Sequence, residues 1–211
     1  MNYESDRHHR SSIRLKEYDY SEAGAYFVTI CIKGRECLFG NIVDGEMRVN
    51  NAGRVVRDVW HKIPEHFPHA DIDEFVVMPN HFHGIIVIVG AQFIAPFDCD
   101  AINKNEKQGV MNHAPTTIGA IVRAFKARCT HAINQIRNTP GHHVWQRNYY
   151  EHIIRSEEEI DRIRQYIIDN PVRWEYDENN PANIIRIDTP SRRRGMACHA
   201  PTIIAYENSR I

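Results

Sequence analysis

Two apolar segments separated by a short turn signal constrain the fold of this chain more than any other feature. They are residues 75–78 and 84–89, with Pro79-Asn80 as the turn between them. β-Branched and aromatic residues on both sides of a Pro-Asn pair are typical of two strands joined by a tight turn. The sequence therefore predicts an antiparallel β-hairpin at this position.

Two histidines, His81 and His83, follow the turn directly. Residues i and i+2 of a strand point to the same face, so both imidazoles can face one point while Phe82 faces the opposite layer. Such a pair could hold one divalent ion. The chain has 13 histidines, however, and a His-x-His pair then also arises by chance. Histidines that are satisfied by other contacts, or simply exposed, are therefore the alternative.

A helix is predicted between Ser156 and Pro171. Ser156 and Glu159 have the spacing of a capping box, and Pro171 disfavours the helical conformation of the residue before it. Tyr166 and Asn170 are one turn apart and share one flank of this helix. Its buried stripe is predicted to consist of three isoleucines at helical spacing, Ile160, Ile163 and Ile167.

Two imidazoles, one amide oxygen and one tyrosine are the groups that metal-assisted attack on a phosphodiester requires. The ion polarises a phosphate oxygen, and the tyrosine supplies the nucleophile for a covalent intermediate. Because the pKa of tyrosine is about 10, the phenol needs an ion or a base nearby to react at neutral pH. An interfacial tyrosine followed by a helix-terminal asparagine, with no chemistry, is the alternative.

Four short segments carry a resemblance to a known family. They are residues 26–31 (YFVTIC), 78–83 (MPNHFH), 145–155 (WQRNYYEHIIR) and 166–171 (YIIDNP). In this order and spacing they resemble the REP-associated tyrosine transposases, relatives of the single-tyrosine HUH transposases of small bacterial insertion sequences. The resemblance covers about residues 10–175.

In that family the two histidines of the HUH motif bind Mg²⁺ or Mn²⁺, and one tyrosine on a late helix attacks DNA to form a 5′-phosphotyrosine bond. The resemblance implies His81 and His83 as metal ligands, Asn170 as the third ligand and Tyr166 as the nucleophile. Many relatives carry glutamine four residues after the tyrosine. Asparagine is one methylene shorter, so the helix must lie closer to the metal or a water must bridge.

Tyr149 and Tyr150 are alternative nucleophiles, because they lie in a predicted strand over residues 148–154 within the same group of motifs. Assignment by the family motif favours Tyr166 over both.

The function implied by the resemblance is a metal-dependent single-stranded DNA endonuclease and strand transferase, a transposase that acts on hairpins of repetitive extragenic palindromes. The protein would work as a monomer or a homodimer. A repeat-binding regulatory protein that no longer cuts DNA is the first alternative. A metallohydrolase that uses water at the same histidines is the second. A covalent protein–DNA adduct would distinguish the three.

The order of predicted elements indicates the fold class. The predicted elements before the histidine hairpin are a strand at residues 26–32, a hairpin-like stretch around 46–49 and a helix at 52–62. The elements after it are a helix at 117–137, the strand at 148–154 and the helix that carries Tyr166. This order predicts an α+β fold, an antiparallel sheet with helices on one face, and resembles the ferredoxin-like core of HUH enzymes. We expect one domain over residues 1–175 with a polar insertion at about 91–116, and a C-terminal extension over 176–211 as a candidate for DNA contact.

The formal net charge of −1 does not by itself indicate a nucleic-acid partner, so any DNA-binding surface must be local. Solvated surface charge is the alternative for each cluster. The candidate DNA contacts are Arg14, Lys16, Arg123, Lys126, Arg128, Arg147, Tyr149, Arg192, Arg193 and Arg194.

Five cysteines without CxxC spacing argue against a disulfide framework and a zinc ribbon. The first ten residues lack the apolar core of a signal peptide, and no segment has the length of a membrane span. We therefore expect a bacterial cytoplasmic protein, associated with the nucleoid and without a membrane partner.

Overall fold

The computed structural model describes residues 23–89 and 117–184. Within these ranges the strands are β1 (Gly24–Cys31), β2 (Gly40–Val43), β3 (Glu46–Val49), β4 (Ala70–Val77), β5 (His81–Ile88) and β6 (Tyr150–Ile154). The helices are α1 (Asn51–His61), α2 (Ile63–His66), α3 (Ile118–Arg137), α4 (Glu157–Asp169) and α5 (Pro181–Ile184). The predicted elements are confirmed, with most bounds shifted by one or two residues. The two strands of the histidine hairpin start earlier than the apolar segments that predicted them, β4 at Ala70 and β5 at His81.

Four strands form one antiparallel sheet in the order β4-β5-β1-β6. α1 lies between β1 and β4 along the chain, and α3 lies between β5 and β6. A sheet of this order with two helical crossovers is the ferredoxin-like arrangement, so the predicted α+β fold class is confirmed. β2 and β3 form a separate small hairpin.

The Pro79-Asn80 turn joins β4 and β5 as predicted. The Met78 amide donates to the His81 carbonyl at 2.9 Å, which closes the hairpin. β5 then pairs along its whole length with the central strand β1, so that His83 lies opposite Thr29. The histidines therefore lie on an inner strand of the sheet, at the start of that strand.

The first face of the sheet carries the main core. Tyr26, Val28 and Ile30 of β1 point to this face, which α1 and α3 cover. Trp60 of α1 packs on Phe82 with ring centroids 4.5 Å apart. Other large side chains buried in this core are Phe39, Phe125, Ile86, Ile118 and Ile121.

α4 lies on the second face of the sheet, where Ile163 and Ile167 pack against Phe27 and Ile85. The expectation of helices on one face therefore holds for α1 and α3 and not for α4. The physical reason is that β1 is buried on both sides, since six consecutive residues of this strand are fully covered. A strand that is apolar on both faces needs a layer on each.

The predicted insertion at 91–116 lies outside the described residues, as does the predicted C-terminal extension beyond residue 184. Among the described helices, none is long and apolar enough to cross a membrane.

Candidate active site

The four residues of the predicted site come together where the start of β5 faces the end of α4. His81 and His83 lie on one face of β5, with ring centroids 4.6 Å apart. The Tyr166 hydroxyl is 3.5 Å from His83 Nε2. Asn170, at the end of α4, is buried and lies close enough to His81 and Tyr166 to influence the pKa of both. The two histidines at i and i+2 of β5 and the tyrosine and asparagine at i and i+4 of the α4 segment thus meet at one place.

Asn80 fixes the tautomer of His81. The Asn80 Nδ2 donates to the backbone oxygens of Arg35 at 3.0 Å and Asn179 at 2.7 Å, so its amide orientation is set. Asn80 Oδ1 must then be the acceptor for His81 Nδ1, which lies 2.9 Å away. A neutral His81 carries its proton on Nδ1 and presents an unprotonated Nε2.

His83 is held in a similar way by the neighbouring strand. Its Nδ1 lies 2.8 Å from the hydroxyl oxygen of Thr29, the residue opposite it on β1. Its ring stacks on Phe27 with centroids 5.5 Å apart and planes 19° from parallel. These contacts fix the ring so that Nε2 faces Tyr166.

Both imidazoles are neutral near pH 7. Burial lowers the pKa of His81, and although the Asp177 carboxylate opposes this effect, the pKa stays below its ordinary value. Burial, together with the neighbouring His81, lowers the pKa of His83 well below its ordinary value. Neutral imidazoles have a lone pair, and a lone pair is what a metal ligand requires.

Two buried polar atoms at the site are unsatisfied. Among the described residues, neither His81 Nε2 nor Asn170 Oδ1 has a hydrogen-bond partner of normal geometry. A buried acceptor without a partner costs about 1–3 kcal/mol, and native structures retain few of them. An imidazole nitrogen and an amide oxygen that share one small space are suited to a common ligand.

No cluster of three or more His, Cys, Asp and Glu side chains arranged for a metal ion occurs in the described part of the chain. An ion at this place would therefore depend on the amide oxygen of Asn170 beside the two imidazoles. Such a mixed nitrogen and oxygen set suits a divalent cation that keeps several of its waters.

The Tyr166 phenol is a weak acid in this environment. Burial raises its pKa above the ordinary value, and the negative charge of Asp177 acts in the same direction. The Asn170 amide and the Arg173 guanidinium oppose this effect only in part. A phenol with a raised pKa reacts at neutral pH only when positive charge or a base lies close to its hydroxyl.

Hydrogen bonds hold α4 against both edge strands of the sheet, β6 and β4. At its start, Glu159 accepts a hydrogen bond from His152 of β6 at 2.8 Å. In its middle, the Arg164 guanidinium contacts both carboxylate oxygens of Asp73 of β4, with Nε at 2.9 Å from Oδ1. The apolar contacts of Ile163 lie between these two ties. The position of Tyr166 over His83 follows from this arrangement.

Residues 174–179 fold back over His81, a contact that the sequence reasoning missed. The Trp174 ring lies 6.0 Å from the His81 ring, and Asp177 Oδ2 lies 3.7 Å from His81 Nε2. These residues pass the predicted domain boundary at 175. The signal available in the sequence was weak, since acidic residues in a polar stretch after a helix are usually solvated.

Comparison with known proteins places the chain in a family. No family model matches it. An uncharacterized protein of Haemophilus influenzae is 46% identical over 179 residues, which are 83% of this chain and 96% of that protein. The chain belongs to the family of this Haemophilus protein. Among solved structures, the REP-associated tyrosine transposase bound to a REP hairpin matches 79% of this chain and 77% of its own, with a TM-score of 0.52 and 19% identity.

The chain therefore has the fold of a REP-associated tyrosine transposase, as its four sequence segments predicted. This fold places the two alternative tyrosines differently from Tyr166. Tyr149 donates its hydroxyl to the Glu151 carboxylate at 2.8 Å. Tyr150 packs edge-on against Phe27 at 6.4 Å. Burial raises the pKa of Tyr150 as well.

The two predicted DNA-contacting arginines of α3 lie away from the site. α3 covers the first face of the sheet, so Arg123 and Arg128 lie on the side opposite to Tyr166. Both are exposed, as is Arg147, and Arg128 also contacts His66 at 2.7 Å. The remaining predicted contacts outside the described residues are Arg14, Lys16, Arg192, Arg193 and Arg194.

Lys126 differs from the exposed arginines. Its ammonium group donates to the backbone oxygen of Gln146 at 2.7 Å and to those of Arg147 and Asn148 at 3.3 Å. It also lies over the Tyr149 ring at 5.7 Å. Burial lowers its pKa to about 8. These contacts attach the loop before β6 to α3.

Proposed function

We propose that this protein is a metal-dependent single-stranded DNA endonuclease and strand transferase, with Tyr166 as its nucleophile. The observation that carries the proposal is the pair of unsatisfied buried atoms, His81 Nε2 and Asn170 Oδ1, next to the Tyr166 hydroxyl. A purely structural pocket would bury such atoms at a net cost.

The residues that would hold Mg²⁺ or Mn²⁺ are His81 and His83 through Nε2 and Asn170 through Oδ1. When bound, the ion would polarise a phosphate oxygen and supply positive charge beside a phenol whose pKa burial has raised. Asn80 and Thr29 hold the opposite ring nitrogens and so keep the ligand atoms oriented.

In the proposed reaction the Tyr166 oxygen forms a bond to the phosphorus of one phosphodiester. The phenolic proton passes to water, the bond between phosphorus and the 3′-oxygen breaks, and that oxygen takes up a proton from water and leaves as a 3′-hydroxyl. The product is a 5′-phosphotyrosine that conserves the phosphodiester energy. Attack by a second 3′-hydroxyl reverses the step and joins the strand to a new end.

The proposed substrate is hairpin DNA of repetitive extragenic palindromes, with flanking single strand at the cleaved bond. The solved transposase that shares this fold is bound to a REP hairpin. The exposed Arg123, Arg128 and Arg147 are the proposed phosphate contacts. Arg123 and Arg128 belong to α3, which lies on the face of the sheet opposite to Tyr166, so the proposed hairpin stem would contact the protein away from the cleaved bond. The proposed place of action is the bacterial nucleoid.

The deciding experiment is to trap the covalent adduct. A hairpin oligonucleotide with end label and flanking single strand is incubated with the protein in Mn²⁺ and resolved on a denaturing gel. We expect a shifted band in the parent protein, its loss in Tyr166→Phe and in chelator, and its retention in Tyr150→Phe.

Tyr150→Phe is the matched control, because it removes a half-buried phenol from the same side of the sheet. Binding of the hairpin without any adduct would indicate a silent repeat-binding protein. Metal-dependent cleavage without an adduct would indicate a water nucleophile. An adduct that persists in Tyr166→Phe and disappears in Tyr150→Phe would move the nucleophile to β6.

A further inference from the structure

Asp177 faces the unsatisfied nitrogen of His81. Its Oδ1 accepts the amide of Asn179 at 2.6 Å, and its Oδ2 lies 3.7 Å from His81 Nε2. The Asp177 side chain is only 12% exposed, and that of His81 is fully buried. The separation between Oδ2 and Nε2 is longer than a hydrogen bond, so the two atoms face each other without satisfying each other.

Several contacts hold Asp177 in this place. Asn179, two residues later, presents its backbone oxygen to Asn80, the residue that orients His81. Arg35 donates to the backbone oxygen of Glu178 at 3.1 Å. Asn183 donates to the backbone oxygen of Asp177 at 3.0 Å. The carboxylate is therefore positioned by the fold, although it lies seven residues beyond Asn170, the last predicted metal ligand.

The three proposed ligands leave a bound cation without a negatively charged partner. His81, His83 and Asn170 form a ligand set without any negative charge, because imidazole and amide side chains carry none. Proteins that bind Mg²⁺ usually provide one or two carboxylates, because this hard cation prefers oxygen ligands and strong negative charge. Asp177 is the carboxylate that the structure places against one of these three residues.

We propose that Asp177 is the acidic partner of the metal site, accepting hydrogen bonds from water bound to the cation beside His81. This inference rests on the proposed function, because it concerns the same cation. In this position Asp177 would act one water away from the ion. Mg²⁺ usually keeps several of its waters when proteins bind it.

The test measures affinity for Mn²⁺ alone, with no DNA present. Full-length protein is freed of metal with chelator and titrated with MnCl₂ while the free ion is followed by electron paramagnetic resonance. We expect Asp177→Asn, which keeps the oxygen for the Asn179 amide, to weaken binding by about 10- to 100-fold, the usual effect of removing a group that hydrogen-bonds to a metal ligand. Glu175→Gln removes an equal charge from an exposed position of the same segment and should change affinity by less than about twofold.

A second variant separates charge from folding. Asp177→Glu keeps the carboxylate and should bind Mn²⁺ more tightly than Asp177→Asn, even if both variants lower the melting temperature. Equal affinities for Asp177→Asn and the parent protein would overturn the inference, as would equal weakening by Asp177→Asn and Asp177→Glu. A parent protein that binds no Mn²⁺ would also overturn it.

The two proposals fail in different ways. If the parent protein forms the Tyr166 adduct and Asp177→Asn keeps full Mn²⁺ affinity, only the role of Asp177 is wrong. If Mn²⁺ affinity depends on Asp177 and no adduct forms with any hairpin, the metal site stands and the proposed endonuclease activity is wrong.

Discussion

Replacing Asn80 by alanine should destabilise the fold and weaken the candidate metal site at the same time. The Asn80 side chain is 1% exposed and makes three hydrogen bonds, to His81 Nδ1 and to the backbone oxygens of Arg35 and Asn179. At roughly 1 kcal/mol for each buried hydrogen bond, we expect a loss of about 3 kcal/mol in the free energy of unfolding. The His81 ring would also lose the acceptor that fixes its tautomer.

Asn80→Asp is the sharper perturbation because it keeps the shape of the side chain. It retains an acceptor for His81, but it places an oxygen where Nδ2 now donates to two carbonyls at 2.7 and 3.0 Å. Two oxygen atoms at these distances repel, so we expect this variant to be at least as unstable as Asn80→Ala. A stability equal to that of the parent protein would show that the amide orientation, and the tautomer derived from it, are wrong.

The assays are urea unfolding followed by circular dichroism, Mn²⁺ titration, and imidazole ¹⁵N chemical shifts for the tautomer. Asn134→Ala is the matched control, because Asn134 is also a buried asparagine that donates to a backbone oxygen, that of His142, at 2.9 Å. We expect this control to lose stability while it keeps its Mn²⁺ affinity. For Asn80→Ala we expect a loss of affinity of about 10-fold or more. Unchanged affinity in Asn80→Ala would refute the orienting role of Asn80.

Three further predictions concern the scaffold. Gly84→Ala should cost about 1–3 kcal/mol in urea unfolding, because the new Cβ would lie 2.5 Å from Trp60 Cζ2 in a filled core, and an unchanged midpoint would contradict this packing. Arg164→Gln should slow adduct formation with little change in hairpin binding, because it removes the hydrogen bond between α4 and Asp73. The control is the exposed ion pair Arg48–Glu46, and breaking that pair should leave the rate of adduct formation unchanged. In chelator, the free energy of unfolding should fall by about 1 kcal/mol or more between pH 7 and 5.5. His81 and His83 resist protonation in the folded protein because their pKa values are lowered, whereas the same histidines in the unfolded chain take up protons below about pH 6.5. A flat profile would contradict the lowered pKa values.

Local features of the sequence determined the strands and helices and the face of its own element on which each site residue lies. The Pro79-Asn80 turn and the period of two placed His81 and His83 on one face, because these effects act between residues a few positions apart. The serine cap set the start of α4, and the isoleucine stripe set the side that Tyr166 shares with Asn170. These predictions needed no knowledge of the tertiary fold.

Contacts between distant parts of the chain decided the rest. α4 lies on the second face because the buried central strand offers apolar side chains there, which its own sequence pattern does not reveal. The tautomer of His81 depends on Asn179, 99 residues from Asn80, and the place of Asp177 depends on the same closure. Hydrogen bonds and charges act only over a few ångströms, so residues so far apart in sequence acquire these roles only when the sheet, the helix and the following segment have packed together.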